Sequence, residues 1–165
     1  MRGKFLTFLI IILTLQGYSQ FKYLEFKLDI SASFLLSSSH VVIELTNDSM
    51  GYKLKVKSTP WSTEAKYSKN KIDTIYLVSK EEVNKIGELL NEMSSEQIFK
   101  GINVNDIMIV NEGRMCKLEY GSYLDKITFS IWSPDCDTKE RNIELFYQAC
   151  KEILKLGKLN PKKIF

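Results

Sequence analysis

Histidine is almost absent from this sequence, and its scarcity limits the catalytic and metal sites that the chain can build. His40 is the single histidine among 165 residues. Without a second histidine or a thiolate pair at ligand spacing, no metal site is predicted. A Ser/His/Asp triad or a Cys/His pair would have to use His40. Glycine-rich phosphate loops and nucleophile elbows are missing as well. We interpret His40 as a surface residue at the start of a strand. A hydrolase that uses His40 with an Asp or Glu is the weaker alternative.

Cysteine is also scarce, and the odd number of cysteines leaves at least one unpaired. The three are Cys116, Cys136 and Cys150. If a helix begins near Thr138, Cys150 lies about 18 Å along it. A disulfide between Cys136 and Cys150 is then unfavourable, because bonded cysteines have Cα atoms roughly 4.4–6.8 Å apart. We predict that Cys116 and Cys150 are small buried side chains and that Cys136 is an exposed thiol.

Long apolar runs are missing too, which argues against a membrane-spanning helix. The apolar run of residues 5–15 is well short of the roughly 20 residues that a spanning helix needs. Arg2 and Lys4 precede it, and Gly17 and Ser19 follow at the spacing that signal peptidase accepts. The sequence therefore predicts a signal peptide over residues 1–19 and a single mature α+β domain over residues 20–165. The mature protein is expected to be periplasmic or secreted, without stable membrane insertion.

The charge of the chain is nearly balanced once the predicted signal peptide is removed. The full sequence has 23 basic and 20 acidic residues and a formal charge of +3. Two of the basic residues are Arg2 and Lys4, so the mature protein carries about one net positive charge. A charge this small gives no reason to expect a nucleic-acid or membrane partner.

Alternation of apolar and polar residues predicts a sheet of about six or seven strands. The strand patterns cover residues 22–30, 41–45, 52–56, 72–78, 116–120 and 127–131, and residues 107–110 are a further short candidate. Polar residues 47–51 join the second and third strands as a hairpin turn. Residues 58–71 and 94–106 are predicted loops.

Two helices are predicted from capping patterns and apolar spacing. Ser79 and Glu82 form a capping box before a helix over residues 80–93. Asp137 and Glu140 form a second, so the last helix is expected to begin near Thr138, and Gly157 ends it. Each helix has one apolar stripe, which favours an α+β fold with both helices on one face of an antiparallel sheet. This fold could consist of two similar halves, each a hairpin followed by a helix, over residues 40–93 and 107–156.

Lysines and aromatic residues near the third strand are the candidate binding site. The binding candidates are Trp61, Tyr52, Lys53, Lys55, Lys57 and Tyr67, and Lys66, Lys69 and Lys71 lie among them in the chain. Aromatic rings among cations can bind anionic partners or sugars, but alternate lysines also solvate the outer face of a sheet. Asp135, Asp137 and Glu140 could hold a calcium ion, although helix capping is the favoured role.

These observations favour a binding protein over an enzyme. We expect an exported small interaction module without its own catalysis, such as an inhibitor or immunity-type protein that binds a partner protein. The alternatives are a protein that binds a small anionic ligand or glycan, and a hydrolase that uses His40. No cofactor, metal or nucleic-acid partner is predicted.

Overall fold

The computed structural model describes residues 24–32, 40–59, 71–93, 113–121 and 126–165. Within these ranges the chain forms six strands, two α-helices and a short 3-10 helix. In chain order they are β1 (Glu25–Ala32), β2 (His40–Asp48), β3 (Gly51–Thr59), β4 (Ile72–Val78), α1 (Lys80–Glu92), β5 (Arg114–Gly121), β6 (Lys126–Trp132), α2 (Glu144–Leu156) and the 3-10 helix Pro161–Lys163. The predicted signal peptide and the candidate strand at residues 107–110 lie outside the described residues.

All six strands belong to one antiparallel sheet, in the order β4-β3-β2-β1-β5-β6. The first four strands follow each other across the sheet, and the later hairpin of β5 and β6 then adds to the free side of β1. Leu28 of β1, for example, lies between Ile43 of β2 and Leu118 of β5. The predicted α+β class, with two helices packed on an antiparallel sheet, is confirmed.

The tightest turn in the sheet joins β2 to β3. Ser49 and Met50 are its two central residues, between the paired Asp48 and Gly51. The Asp48 side chain accepts a hydrogen bond from the Met50 N–H at 2.8 Å, as in an Asx turn. Gly51 has a φ of 112°, a conformation that glycine adopts without steric cost.

One face of the sheet and the apolar stripes of both helices form the core. The buried strand residues alternate along each strand, as in Phe26, Leu28 and Ile30 of β1. Helix α2 crosses this face from β6 toward β3. At its beginning the Phe146 ring meets the Phe129 ring edge-on, and at its end Gly157 packs closely against Ile43 and Val56. The opposite face of the sheet carries no helix among the described elements.

The beginning of α1 matches the prediction, and the beginning of α2 does not. Ser79 accepts a hydrogen bond from the Glu82 N–H, and the Glu82 carboxylate accepts one from the Ser79 N–H, which is the expected capping box. The expected start of α2 near Thr138 is wrong, because the helix begins at Glu144 and has no side-chain cap. Asn142 has a φ of 52°, and this left-handed residue separates the turn before it from the helix.

Candidate functional site

The face of the sheet opposite the helices, which we call the open face, is the candidate binding surface. Its side chains alternate with the core residues, so every strand contributes to it. From β4 to β6 it carries Asp73, Ile75 and Leu77; Lys53, Lys55 and Lys57; His40, Val42, Glu44 and Thr46; Glu25, Lys27, Asp29 and Ser31; Met115, Lys117 and Glu119; and Lys126, Thr128, Ser130 and Trp132. Positive and negative side chains are thus interleaved across the face.

The three lysines of β3, which we call the basic strip, lie side by side on the open face. Lys53 forms an ion pair with Asp48 at 2.6 Å. Lys55 lies between Glu44 of β2 and Ile75 of β4 in the register of the sheet. Both Lys55 and Lys57 are exposed, and within the described ranges neither ammonium group lies within 4 Å of a carboxylate. Each of these two lysines faces an acidic residue across the sheet without forming an ion pair with it, Lys55 facing Glu44 and Lys57 facing Asp73.

Exposed apolar side chains border the basic strip on β4. Ile75 and Leu77 are 61% and 74% exposed, although each lies in a regular strand. Ile75 is directly opposite Lys55, and Leu77 is directly opposite Lys53. Large apolar groups on the surface of a sheet next to charged side chains are typical of a contact surface, where an apolar centre has a polar rim.

The part of the open face formed by β1, β5 and β6 differs because two of its three lysines are in ion pairs. Lys117 contacts Glu119 at 2.6 Å, and Lys126 contacts Glu25 at 3.3 Å. The hydrogen bond from Lys117 lowers the pKa of the Glu119 carboxyl and raises the pKa of Lys117. A shallow depression lies here, lined by Lys27, Asp29, Lys117 and Glu119. With Lys117 and Lys126 paired, this part of the face presents fewer unpaired ammonium groups to a charged partner than the basic strip does.

The structure separates one predicted binding residue from the others. Tyr52 lies on the helix-covered side of β3, opposite Val78, where it packs partly buried against the core. Its ring therefore does not share a surface with Lys53, Lys55 and Lys57. Trp61, Tyr67, Lys66 and Lys69 lie outside the described residues. Ile75 and Leu77 were missed as site residues because β4 is apolar on both of its faces, and alternation alone does not show which face is exposed.

His40 has one close partner, an aspartate on the neighbouring strand. Its Nε2 atom lies 2.7 Å from Oδ1 of Asp29, and the two side chains are 50% and 31% exposed. Ser31 is directly opposite His40 in the strand register. An imidazole that is hydrogen-bonded to a carboxylate is oriented for proton transfer. The His40–Asp29 contact is the structural feature that the hydrolase alternative would use.

The three cysteines are free thiols, two buried and one exposed. Burial raises the pKa of the Cys116 thiol to about 12, and burial also raises the pKa of the Cys150 thiol. Both therefore remain protonated and unreactive at neutral pH. Cys136 is exposed after β6, where partial burial, together with Asp135 and Asp137, raises the pKa of its thiol. The predicted burial of Cys116 and Cys150 and exposure of Cys136 are confirmed.

The loop between β6 and α2, residues 133–143, is held by the side chain of Arg141. Its guanidinium donates hydrogen bonds to the backbone oxygens of Trp132 and Ser133, each at 2.7 Å, and of Cys136 at 3.1 Å. Ser133 is buried and has a φ of 41°. In the parts of the chain that the structure describes, no three His, Cys, Asp or Glu side chains are grouped to hold a metal ion. The loop whose backbone Arg141 holds by hydrogen bonds thus includes Asp135, Asp137 and Glu140.

Comparisons with protein-family models, with curated proteins and with solved structures found no match. Within the described ranges, no helix is long and apolar enough to cross a membrane.

Proposed function

We propose that this chain is an exported binding protein without catalysis of its own, and that it engages an acidic surface of a partner protein through the basic strip and the apolar border. The observation that carries the proposal is that exposed Ile75 lies directly opposite exposed Lys55, in a row where Leu77 and Asp73 lie opposite Lys53 and Lys57. The signal peptide predicted at residues 1–19 supports export. An inhibitor or immunity-type protein fits this description.

Charged and apolar contacts are expected to contribute to this binding in different ways. Complementary charges mainly raise the association rate and select the partner. Burial of Ile75 and Leu77 would supply affinity, at roughly 25 cal/mol per Å² of apolar surface removed from water. A regular sheet holds these side chains at fixed positions, so little conformational entropy of the backbone is lost on binding.

Reversing the charges of the basic strip is expected to weaken partner binding. The partner is first identified by photo-crosslinking from position 55 in the cells that export the protein, and binding is then measured with both proteins purified. We expect the Lys55→Glu/Lys57→Glu variant to bind at least about tenfold more weakly, which is about 1.4 kcal/mol. The loss should come mainly from slower association and should shrink as salt is added.

A second double variant provides the matched control. Lys162→Glu/Lys163→Glu changes the net charge by the same amount, at two exposed lysines of the 3-10 helix. It should bind like the unmodified protein. Equal weakening by both double variants would show that only net charge matters, and the basic strip would lose its assigned role. A crosslinked anionic glycan in place of a protein would support the alternative ligand class.

The His40–Asp29 pair is the basis of the second candidate function, hydrolysis. Because both side chains are substantially exposed, we expect His40→Ala to change the free energy of unfolding by less than about 1 kcal/mol. We also expect partner binding to stay unchanged. Chemical denaturation and the binding assay above check these two points. A hydrolytic activity on chromogenic esters that disappears in His40→Ala would contradict the non-catalytic proposal and favour the hydrolase.

A further inference from the structure

The two edges of the sheet differ in how well they are protected against pairing with another strand. The open face of β6 carries Lys126, Thr128 and Ser130, and polar or charged residues of this kind discourage edge-to-edge association. Strand β4 has neither lysine nor proline in its sequence IDTIYLV. Its register with β3 runs without a bulge from Tyr52↔Val78 to Ser58↔Ile72. In the described part of the chain, no strand pairs with its outer edge.

The sequence of β4 is also complementary to itself when two copies run antiparallel. If the two-fold axis passes through Ile75, this residue meets its own counterpart, and Ile72 meets Val78 of the other copy. Thr74 then lies opposite Tyr76, a combination of β-branched and aromatic side chains that stabilises antiparallel pairs. Only the pairing of Asp73 with Leu77 joins a charged residue to an apolar one. An edge with this symmetry fits an isologous contact between identical chains.

Charge supports the same register. Asp73 lies directly opposite Lys57 of its own chain, and in this register Lys53 of the other copy, which also contacts Asp48, would lie two strands away on the other side, about 10 Å in a sheet. Lysine side chains are long enough to approach a carboxylate over that distance. The small net charge of the mature chain also adds little long-range repulsion between two copies.

We infer that β4 pairs with β4 of a second copy of this chain, so that the described six-stranded sheets of the two copies join into one continuous antiparallel sheet. Self-pairing at β4 goes beyond the proposed function and would place a mainly apolar seam, with Ile75 and Leu77 at its centre and the Asp73 of each copy beside them, between two basic strips. Such a surface has the apolar centre and charged rim of a protein interface. Two identical strips would also let one dimer engage a partner at two points.

A cysteine at the two-fold axis tests the pairing. In a Cys136→Ser background, Ile75→Cys is expected to form a covalent dimer under mild oxidation. Directly opposed residues in an antiparallel pair have Cα atoms about 4.5–5.5 Å apart, within the roughly 4.4–6.8 Å of a disulfide. Ile75 is 61% exposed, so the substitution leaves the core intact. Sedimentation of the purified unmodified protein, with no partner present, should show a dimer.

The matched controls are Ile127→Cys and Leu77→Cys in the same background. Ile127 is 49% exposed on the other edge strand, and Leu77 opposes Asp73 in the inferred register. We expect the dimer of Ile75→Cys to form about tenfold faster than either control dimer. A monomer at all concentrations, or equal crosslinking at all three positions, would overturn self-pairing. Because no partner is present in the sedimentation assay, that assay tests self-pairing independently of the proposed partner binding.

Discussion

Replacing Phe146 with alanine is expected to lower the free energy of unfolding by about 3–5 kcal/mol. Phe146 is fully buried in α2, and its ring meets the Phe129 ring edge-on, with 6.5 Å between ring centroids. Phe129 in turn stacks on Tyr120, so the three rings connect the helix with β5 and β6. Alanine would remove apolar contact and leave a cavity that close-packed neighbours fill only in part.

Urea denaturation followed by circular dichroism measures this loss. Phe165→Ala is the control, because the Phe165 ring also meets an aromatic ring edge-on, that of Tyr147 at 5.0 Å, but lies only partly buried at the end of the chain. We expect it to cost about 1 kcal/mol. If Phe146→Ala does not fold, Phe146→Leu should fold with an intermediate loss. A smaller loss for Phe146→Ala than for Phe165→Ala would contradict the assigned core.

Local patterns were sufficient to predict most of the secondary structure. The strand over residues 72–78 and the helix after Ser79 were predicted to within a residue, because alternation and the capping box are signals contained in a few neighbouring residues. The same alternation already placed Tyr52 on the face opposite Lys53, Lys55 and Lys57. Grouping Tyr52 with the lysines therefore relied on nearness in sequence, which is a poor guide within a strand because successive side chains point to opposite faces.

The order of the strands could not be predicted from local patterns. Strand β1 lies in the middle of the sheet because β5, more than eighty residues later, pairs with it, as in Leu28↔Leu118. Pairing of this kind depends on the whole core and not on neighbouring residues. For the same reason the sequence did not show that β4 would be an edge. That position, on a face that no described helix covers, leaves Ile75 and Leu77 exposed and gives the candidate site its apolar border.

The start of α2 shows a tertiary contact overriding a local signal. Asp137 and Glu140 have the spacing of a capping box, yet Asp137 has a φ of 48° and the helix begins at Glu144. The reason is the side chain of Arg141, which points back to the carbonyl oxygens at the end of β6. A four-residue pattern does not reveal such a contact, because the acceptors at the end of β6 are backbone atoms eight and nine residues earlier in the chain.

Replacing Arg141 with methionine is expected to lower the free energy of unfolding by about 2–3 kcal/mol. Methionine keeps much of the length and apolar surface of the side chain but removes the donors to Trp132, Ser133 and Cys136. Charge-assisted hydrogen bonds of this kind are stronger than neutral ones, although the partial exposure of Arg141 reduces their value. The buried, left-handed Ser133 would then be held by fewer contacts, so the loop should open more often than the core unfolds.

Hydrogen exchange distinguishes local opening from a general loss of stability. In the unmodified protein the Cys136 N–H donates to Ser133 and the Ile143 N–H donates to Thr138, so both amides should be protected. In Arg141→Met both amides should exchange faster. Exchange of the amides in the second half of α2 should change only by the amount that the loss of global stability explains. Lys139→Met, at an exposed lysine of the same loop, is the control and should leave exchange unchanged. Unchanged protection at Cys136 and Ile143 in Arg141→Met would mean that Arg141 does not hold this loop.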